Sequence, residues 1–318
     1  MFNKIVKKIQ FCLIFFFYKN FYLINSPLQF INLIELLNKS SRLSKKTPTL
    51  IGYASSNTLK QIKALNKIYL NSKNIYFLGE ILSVKSFHIL LWIRKKIINF
   101  EQCVVGDYNY YLFKEFYKHS KKIILIDDGL STLTLIKNFN FKKKINVFTV
   151  YKNIESKKHI HILENNFQLL RSKKNNFRLS KNKVYIIGSA SVERDSIEIK
   201  EFYRIIRSIL SKNKNKEVYY VPHRLELLHN KLKIFKKLKI KKLNLPIEVA
   251  LIRGKILPKK IIGFHTSALF NLQIIFKNKI ILQNIDYNFE GIINQTVKNT
   301  HRIANKYYKL QKIKNIKF

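Results

Sequence analysis

Residues 218–226, which read VYYVPHRLE, combine residue types that could do chemistry. A short apolar run ends there at Pro222, and because proline cannot donate to a neighbouring strand, it marks where a strand stops. His223 then lies just past the carboxyl end of that strand, where open α/β sheets bind ligands. An imidazole there could act as a general acid to a leaving phosphate or as its hydrogen-bonding clamp. The alternative is a structural loop histidine.

Two adjacent carboxylates follow another apolar run, because residues 123–126 lead directly into Asp127, Asp128 and Gly129. Burying carboxylates directly after a strand costs free energy unless they are solvated, paired with other groups or part of a functional site. One of this pair would suit a general base on a hydroxyl group. An Asp-Gly turn with a helix cap is an equally good interpretation.

A third candidate site is a loop of small and acidic residues, namely Gly188, Ser189, Ser191, Glu193 and Asp195. We expect a helix to begin near residue 192, and the N-terminus of a helix readily binds phosphate. Ser189 or Ser191 could simply cap that helix, with Glu193 and Asp195 in its first turn. A carboxylate in this loop could also serve as a base.

The segment 264–269 (FHTSAL) again follows a strand and precedes a helix. The hydroxyls of Thr266 and Ser267, with the backbone N–H groups behind them, could bind a phosphate, and a plain N-cap is compatible with that use. The remaining histidines have poorer settings, and no Cys/His cluster predicts a metal site. The two cysteines, Cys12 and Cys103, suggest a reducing compartment.

Short apolar runs alternate with amphipathic stretches along the chain, which favours parallel sheets with helices on both faces. Residues 28–38 (LQFINLIELLN) have the apolar spacing of a helix. We expect strands at residues 21–24, 50–53, 75–78, 102–107, 123–126, 184–187, 218–221, 261–264 and 280–282.

A polar stretch, residues 171–183, interrupts the alternation and is the expected linker. It would separate an α/β domain over residues 1–175 from a second one over residues 183–318. Two similar-sized Rossmann-like domains with parallel sheets facing a cleft would be GT-B-like. Other two-domain α/β folds fit the pattern equally well.

The chain has 61 Lys+Arg against 18 Asp+Glu, a formal net charge of +43. Codon bias could supply some of the lysine but does not explain the scarcity of Glu, so an anionic partner is expected. We favour a membrane surface over nucleic acid, because the basic residues are dispersed and no nucleic-acid-binding motif accompanies them. The apolar run 11–18 is too short to span a bilayer and is interpreted as a buried strand or an interfacial anchor.

The chain contains four short segments in a fixed order: IDDGLSTL (126–133), IIGSASVERD (186–195), YYVPHRLE (219–226) and GFHTSALFNL (263–272). In this order they resemble the motifs of the glycosyltransferase family 52 sialyltransferases, the bacterial lipooligosaccharide enzymes. Residues 243–252 (LNLPIEVALI) also resemble the family's segment between the last two motifs, and residues 24–35 (INSPLQFINLIE) match its first strand–helix unit more loosely.

Two positions depart from the pattern of that family. Its His-Pro dipeptide is His223-Arg224 here, and the aspartate of its Gly-Ser-Pro-Asp loop falls on Ser191. The base is therefore open among Glu193, Asp195 and Asp128.

The resemblance implies that a sialic acid, or a related nonulosonate, moves with inversion from a CMP-sugar to a cell-surface glycan such as lipooligosaccharide. A carboxylate would deprotonate the acceptor hydroxyl, while His223, Thr266 and Ser267 stabilise the departing CMP phosphate. No metal or cofactor is implied, since the CMP-sugar is the donor substrate. The substrate-binding set would be Asp127, Gly129, Gly188, Ser189, Ser191, Pro222, Arg224, Thr266 and Ser267.

The resemblance also implies partners and a location. The C-terminal domain would bind the CMP-sugar, and the glycan or glycolipid acceptor would approach from the N-terminal domain. The enzyme would be cytoplasmic, peripheral at the anionic inner face of the bacterial cytoplasmic membrane, with no nucleic-acid partner, and could form a homodimer. Three alternatives stay open: a GT-B transferase with another donor or a capsule polysialyltransferase-like role, a catalytically dead relative, and a non-enzymatic basic protein that binds membrane or nucleic acid.

Overall fold

The computed structural model describes residues 2–97, 99–139, 141, 143–152, 158–174, 176–224, 226–227, 232–287 and 295–317. The chain forms two compact units. The first contains Met1–Asp128 and Ile136–Asn165, and the second contains Gly129–Leu135 and Asn166–Phe318. Each unit is built on its own parallel sheet.

The first unit has a seven-stranded sheet in the order β3-β2-β1-β4-β5-β6-β7. All its strand pairs are parallel. The order reverses between β1 and β4, which creates a switch point at the carboxyl ends of these strands. The strands are β1 (Asn20–Ile24), β2 (Thr49–Ile51), β3 (Ile75–Phe77), β4 (Phe100–Val105), β5 (Ser120–Ile126), β6 (Ile145–Thr149) and β7 (Ile160–Glu164).

Helices connect these strands, as the sequence predicts. The expected helix at residues 28–38 is α2, which begins with Pro27 at its first position and is capped by Ser26 in a capping box with Gln29. The helices are α1 (Phe2–Phe17), α2 (Pro27–Lys39), α3 (Ser56–Leu65) with a π-helical turn at Asn66–Leu70, α4 (Leu78–Ile81), α5 (Val84–Ile97), α6 (Tyr111–Lys118) and α7 (Leu130–Asn138). The residues of α7 up to Leu135 belong to the second unit.

Of the two interpretations of residues 11–18, the strand is wrong, because residues 11–17 lie in α1. Phe11 and Phe15, four residues apart, are buried on one side of the helix, while Leu13 and Phe17 are exposed. A short apolar run cannot be assigned to strand or helix by periodicity alone. Here the packing of Phe11 and Phe15 against the sheet decides for a helix.

The second unit has a six-stranded parallel sheet in the order β10-β9-β8-β11-β12-β13, with its switch point between β8 and β11. Its helix α9 places Phe202, Ile205, Ile206 and Ile209 on one buried face. The elements are α8 (Gln168–Ser172), β8 (Arg178–Ile187), α9 (Ile199–Lys212), β9 (Glu217–Val221), β10 (Leu238–Ile240), α10 (Ile247–Ile252), β11 (Ile256–Gly263), α11 (Ala268–Phe276), β12 (Ile281–Ile285), α12 (Gln295–Leu310) and β13 (Lys314–Ile316).

Two expectations for this unit need correction. The polar stretch 171–183 contains the end of α8 and the start of β8, where Arg178 and Leu179 pair with β11. The helix expected near residue 192 begins only at Ile199, because turns occupy residues 191–197. Ser189 and Ser191 therefore do not cap it.

Candidate functional site

Asp127, the first residue after β5, joins neighbouring elements of the first unit. Its carboxylate accepts hydrogen bonds from Thr149 Oγ1 at 2.7 Å and from the backbone N–H of Val150 at 3.2 Å. Its carbonyl accepts one from Asn32 Nδ2 at 2.7 Å. Since the side chain is buried and engaged by β6, its role in this structure is to hold β5, β6 and α2 together.

Asp128 is half-buried, unlike its neighbour. One of its oxygens accepts a hydrogen bond from Ser26 Oγ at 3.3 Å. Ser26 follows β1 and caps α2, so the carboxylate lies at the carboxyl edge of the sheet. Gly129 next to it has φ 75°, a conformation that favours glycine and turns the chain into α7.

The switch point between β1 and β4 is lined by polar side chains that the sequence reasoning missed. Gln29 Oε1 accepts a hydrogen bond from the backbone N–H of Asn25 at 2.6 Å. A side chain at position 106 would collide with Gln29, because a Cβ on Gly106 would lie 2.3 Å from that oxygen. A Cβ on Gly52 would lie 2.0 Å from Asn25 Oδ1. Within the described residues, that Oδ1 is buried and accepts no hydrogen bond. The glycines directly after β2 and β4 are the sequence signal that could have found this site.

In the second unit, the His223 loop follows β9. Pro222 and His223 are half-buried, and Arg224 is exposed. Burial, then the positive charges of Arg224 and Arg194, lower the pKa of His223 to about 3. The imidazole is therefore neutral at pH 7, which favours the hydrogen-bonding role over that of a charged acid.

Glu226 organises this loop and was not predicted as a site residue. Its carboxylate accepts hydrogen bonds from the hydroxyl of Tyr220 and, at 2.9 Å, from the backbone N–H of His223. Burial raises the pKa of Glu226 to about 6. A Cβ on Gly188 would lie 2.1 Å from Glu226 Oε2, so only glycine leaves room for this carboxylate beside the end of β8. An acid three residues after His223 is the signal that could have found it.

Of the two acidic candidates in the loop after β8, one reaches the His223 loop. Glu193 Oε1 accepts from the backbone N–H of Leu227 at 2.7 Å, and its charge contributes to the raised pKa of Glu226. Asp195 is exposed and has φ 51°. Ser189 and Ser191 are hydrogen-bonded to each other through their hydroxyls.

The loop after β11 contains Thr266 and Ser267 beside two histidines that sequence reasoning gave no role. Thr266 Oγ1 accepts from the backbone N–H of Ala268 at 3.3 Å, so Thr266 rather than Ser267 makes the capping bond. The rings of His265 and His301 are 4.4 Å apart between centroids. Burial lowers the pKa of His301 to about 4 and that of His265 well below its usual range, so both are neutral.

The three loops of the second unit lie at one edge of its sheet, because β9, β8 and β11 are adjacent and parallel. The loops after β8 and β11 flank the switch point, where open sheets bind ligands. Ala190 and His265 in these loops have left-handed φ values of 53° and 44°. Such strain in non-glycine residues clusters at ligand-binding sites. This edge is the best candidate for an anion site.

Comparison with known proteins identifies the architecture. No protein-family model matches the sequence, and no curated protein is significantly similar to it. Among solved structures, the GT-B domain of a sialyltransferase from Photobacterium damselae matches with a TM-score of 0.50 at 10% sequence identity, covering 94% of this chain and 100% of that one. The chain has the GT-B fold.

Two other solved structures are similar. A protein assigned as a UDP-N-acetylglucosamine 2-epimerase from Listeria monocytogenes gives a TM-score of 0.52 at 11% identity, covering 92% of this chain and 88% of that one. An α/β-galactoside α-2,3-sialyltransferase from Photobacterium phosphoreum gives a TM-score of 0.47 at 12% sequence identity, covering 93% of this chain and 97% of that one. The expected fold class is confirmed. Membership of glycosyltransferase family 52 stays a prediction, because sequence identities this low show only that the fold is shared.

Proposed function

We propose that this chain is an inverting glycosyltransferase that moves a sialic acid or related nonulosonate from a CMP-sugar to a glycan or glycolipid acceptor. The observation that carries the proposal is the edge of the second sheet. There, three of the four motif segments supply loops after adjacent strands, with Ser189, His223 and Thr266 on one loop each. In the GT-B fold, which is built from two such parallel-sheet units, this is a natural site for a nucleotide phosphate.

The electrostatics of this edge suit an anionic leaving group. Arg194 and Arg224 lie close enough to His223 to lower its pKa, so two guanidinium groups place positive charge near the imidazole before a ligand binds. A bound phosphate would oppose that effect and raise the pKa of the imidazole. His223 would therefore donate a hydrogen bond that strengthens as negative charge develops on the departing CMP.

Asp128 is our candidate for the base that deprotonates the acceptor hydroxyl. It is half-buried at the carboxyl edge of the first sheet, close to the Ser26 hydroxyl and the polar switch point. Glu193 is already used to hold the backbone of Leu227, and Asp195 is exposed. We assign the acceptor to the first unit and the donor to the second.

Ligand binding tests the donor class. CMP and CMP-sialic acid should raise the melting temperature by several degrees, since saturation at about 100 times the dissociation constant stabilises by about 2.7 kcal/mol. UDP- and GDP-sugars should leave it unchanged. A shift with UDP-N-acetylglucosamine and none with CMP would instead favour an epimerase, the activity assigned to the Listeria protein of the same fold.

Transfer assays on variants test the assigned roles. His223→Ala and Asp128→Asn should each lower turnover by roughly 100-fold or more, the usual effect of losing a proton-transfer or leaving-group residue. His161→Ala, at an exposed histidine on β7, and Asp195→Asn are the matched controls and should stay near wild type. Near-normal transfer by His223→Ala would exclude its role, and loss of activity in Asp195→Asn alone would reassign the base.

We also propose that the enzyme works at the inner face of the bacterial cytoplasmic membrane, where lipid-linked acceptors are built. The net charge of +43 supports attraction to anionic lipid. None of the helices in the described part of the chain combines the length and apolarity that a membrane span needs.

A further inference from the structure

Helix α1 has apolar side chains on two opposite faces. Phe11 and Phe15 point into the first unit, while Ile5, Ile9, Leu13 and Phe17 are 48%, 56%, 54% and 75% exposed. Their spacing of four residues places them along one side of the helix. A helix on the surface of a globular unit ordinarily presents a polar outer face. The outer face of α1 is therefore unsuited to water.

Helix α5 has exposed apolar side chains as well. Its inner residue Phe87 contacts Phe11 and Phe15, with ring centroids 6.5 Å and 5.8 Å apart, so both helices pack on the same aromatic cluster. Both helices therefore turn their inner sides toward the same cluster. On α5 the outer side exposes Ile89 and Trp92, which are 52% and 53% exposed.

A buried cation fixes the two helices to each other. Arg94 of α5 is fully buried, and its guanidinium donates to the carbonyl of Phe15 and, at 2.6 Å, to that of Tyr18. Phe15 lies in the last turn of α1 and Tyr18 follows its last residue. The last C=O groups of a helix lack partners within it, so Arg94 supplies donors at this end. The apolar surface is therefore presented by a fixed pair of helices.

Charge indicates what covers this surface. Neither residues 2–17 nor residues 84–97 include an acidic residue. Exposed lysines accompany the apolar side chains, and Lys96 Nζ lies 3.7 Å from the ring centroid of Trp92. A second copy of the chain would bring the same positive charge to the contact, whereas anionic headgroups would complement it. Lysine and tryptophan are also the side chains that bridge acyl chains and headgroups.

We propose that the outer sides of α1 and α5, the α1–α5 face, form the surface by which this protein docks on an anionic lipid bilayer. Ile5, Ile9, Leu13, Phe17 and Trp92 would enter the boundary between headgroups and acyl chains, with the lysines at phosphate level. This specifies the membrane location in the proposed function. Vesicle binding needs no sugar nucleotide, so failure of this proposal is distinguishable from failure of the transferase.

The test uses the fluorescence of Trp92, the only tryptophan in the sequence. The full chain is mixed with vesicles of phosphatidylcholine alone or with about one-third phosphatidylglycerol, the anionic component that attracts basic surfaces. We expect a blue shift and co-sedimentation with anionic vesicles, and quenching of Trp92 by lipids brominated on their acyl chains. Binding without any change in Trp92 fluorescence would overturn the proposal.

Variants separate this surface from general charge attraction. Ile9→Ser/Leu13→Ser should weaken binding to anionic vesicles about tenfold or more, because it removes two large apolar side chains from the interface. Ile256→Ser/Ile281→Ser, at exposed isoleucines of the second unit, is the matched control and should bind as the wild type does. Equal binding by both variants would contradict the proposal, as would a wild-type dimer that only the first variant dissociates.

Discussion

At the scale of single residues, the carboxyl of Glu226 is the clearest titrating group in the candidate site. Its pKa is raised from 4.5 to about 6, chiefly by burial, although Tyr220 and the backbone of His223 donate hydrogen bonds to it. The folded protein thus holds this proton more tightly than the unfolded chain does. The resulting stabilisation is complete below pH 4.5 and is lost as pH rises through 6, a loss of about 2 kcal/mol.

Glu226→Gln should therefore remove a pH-dependent contribution to the free energy of unfolding. Between pH 4.5 and 7, the stability difference between wild type and variant should change by about 2 kcal/mol in favour of the variant. The lowered pKa values of buried histidines such as His301 act in the opposite direction, but they cancel in this difference. Urea unfolding at both pH values measures it. A difference independent of pH would show that Glu226 titrates normally.

At the scale of elements, α1 depends on Arg94. Burial lowers the pKa of this guanidinium to about 10, which leaves it charged at pH 7. Arg94→Met would leave the carbonyls of Phe15 and Tyr18 without their donor, at a cost of about 2–5 kcal/mol. Arg94→Lys, which keeps the charge and a donor group, should lose less stability than Arg94→Met. Hydrogen exchange should show α1 losing protection first in the Met variant, and unchanged protection of α1 would contradict this account.

At the scale of the whole molecule, the net charge of +43 should make ligand binding depend on salt. Raising ionic strength from about 0.1 M to about 1 M shortens the Debye length from about 10 Å to about 3 Å. For the proposed CMP site, the dissociation constant of CMP should rise several-fold, because the positive field of the protein attracts its phosphate. Cytidine, which lacks the phosphate, is the control for titration calorimetry. Equal weakening of both ligands would exclude an electrostatic contribution to donor binding.

The sequence determined the parallel α/β class and the positions of the motif loops. The buried last four residues of β5 and β8 form continuous apolar runs, and the residues directly after them lie at the edge where open α/β sheets bind ligands. Short strands with few apolar residues, such as β10 and β13, left no such signal. Backbone pairing with β9 and β12, rather than a hydrophobic pattern of their own, places these two strands in the sheet.

Only the tertiary structure decided which side chains meet. Nothing in the local pattern shows that Glu226 fills the space left by Gly188, or that the ring of His301 contacts that of His265. The same holds for residues 11–18, where packing chose a helix over a strand. Hydrophobic periodicity reports which face of an element is buried, whereas the strand order and the neighbours brought together depend on contacts between residues far apart in the chain.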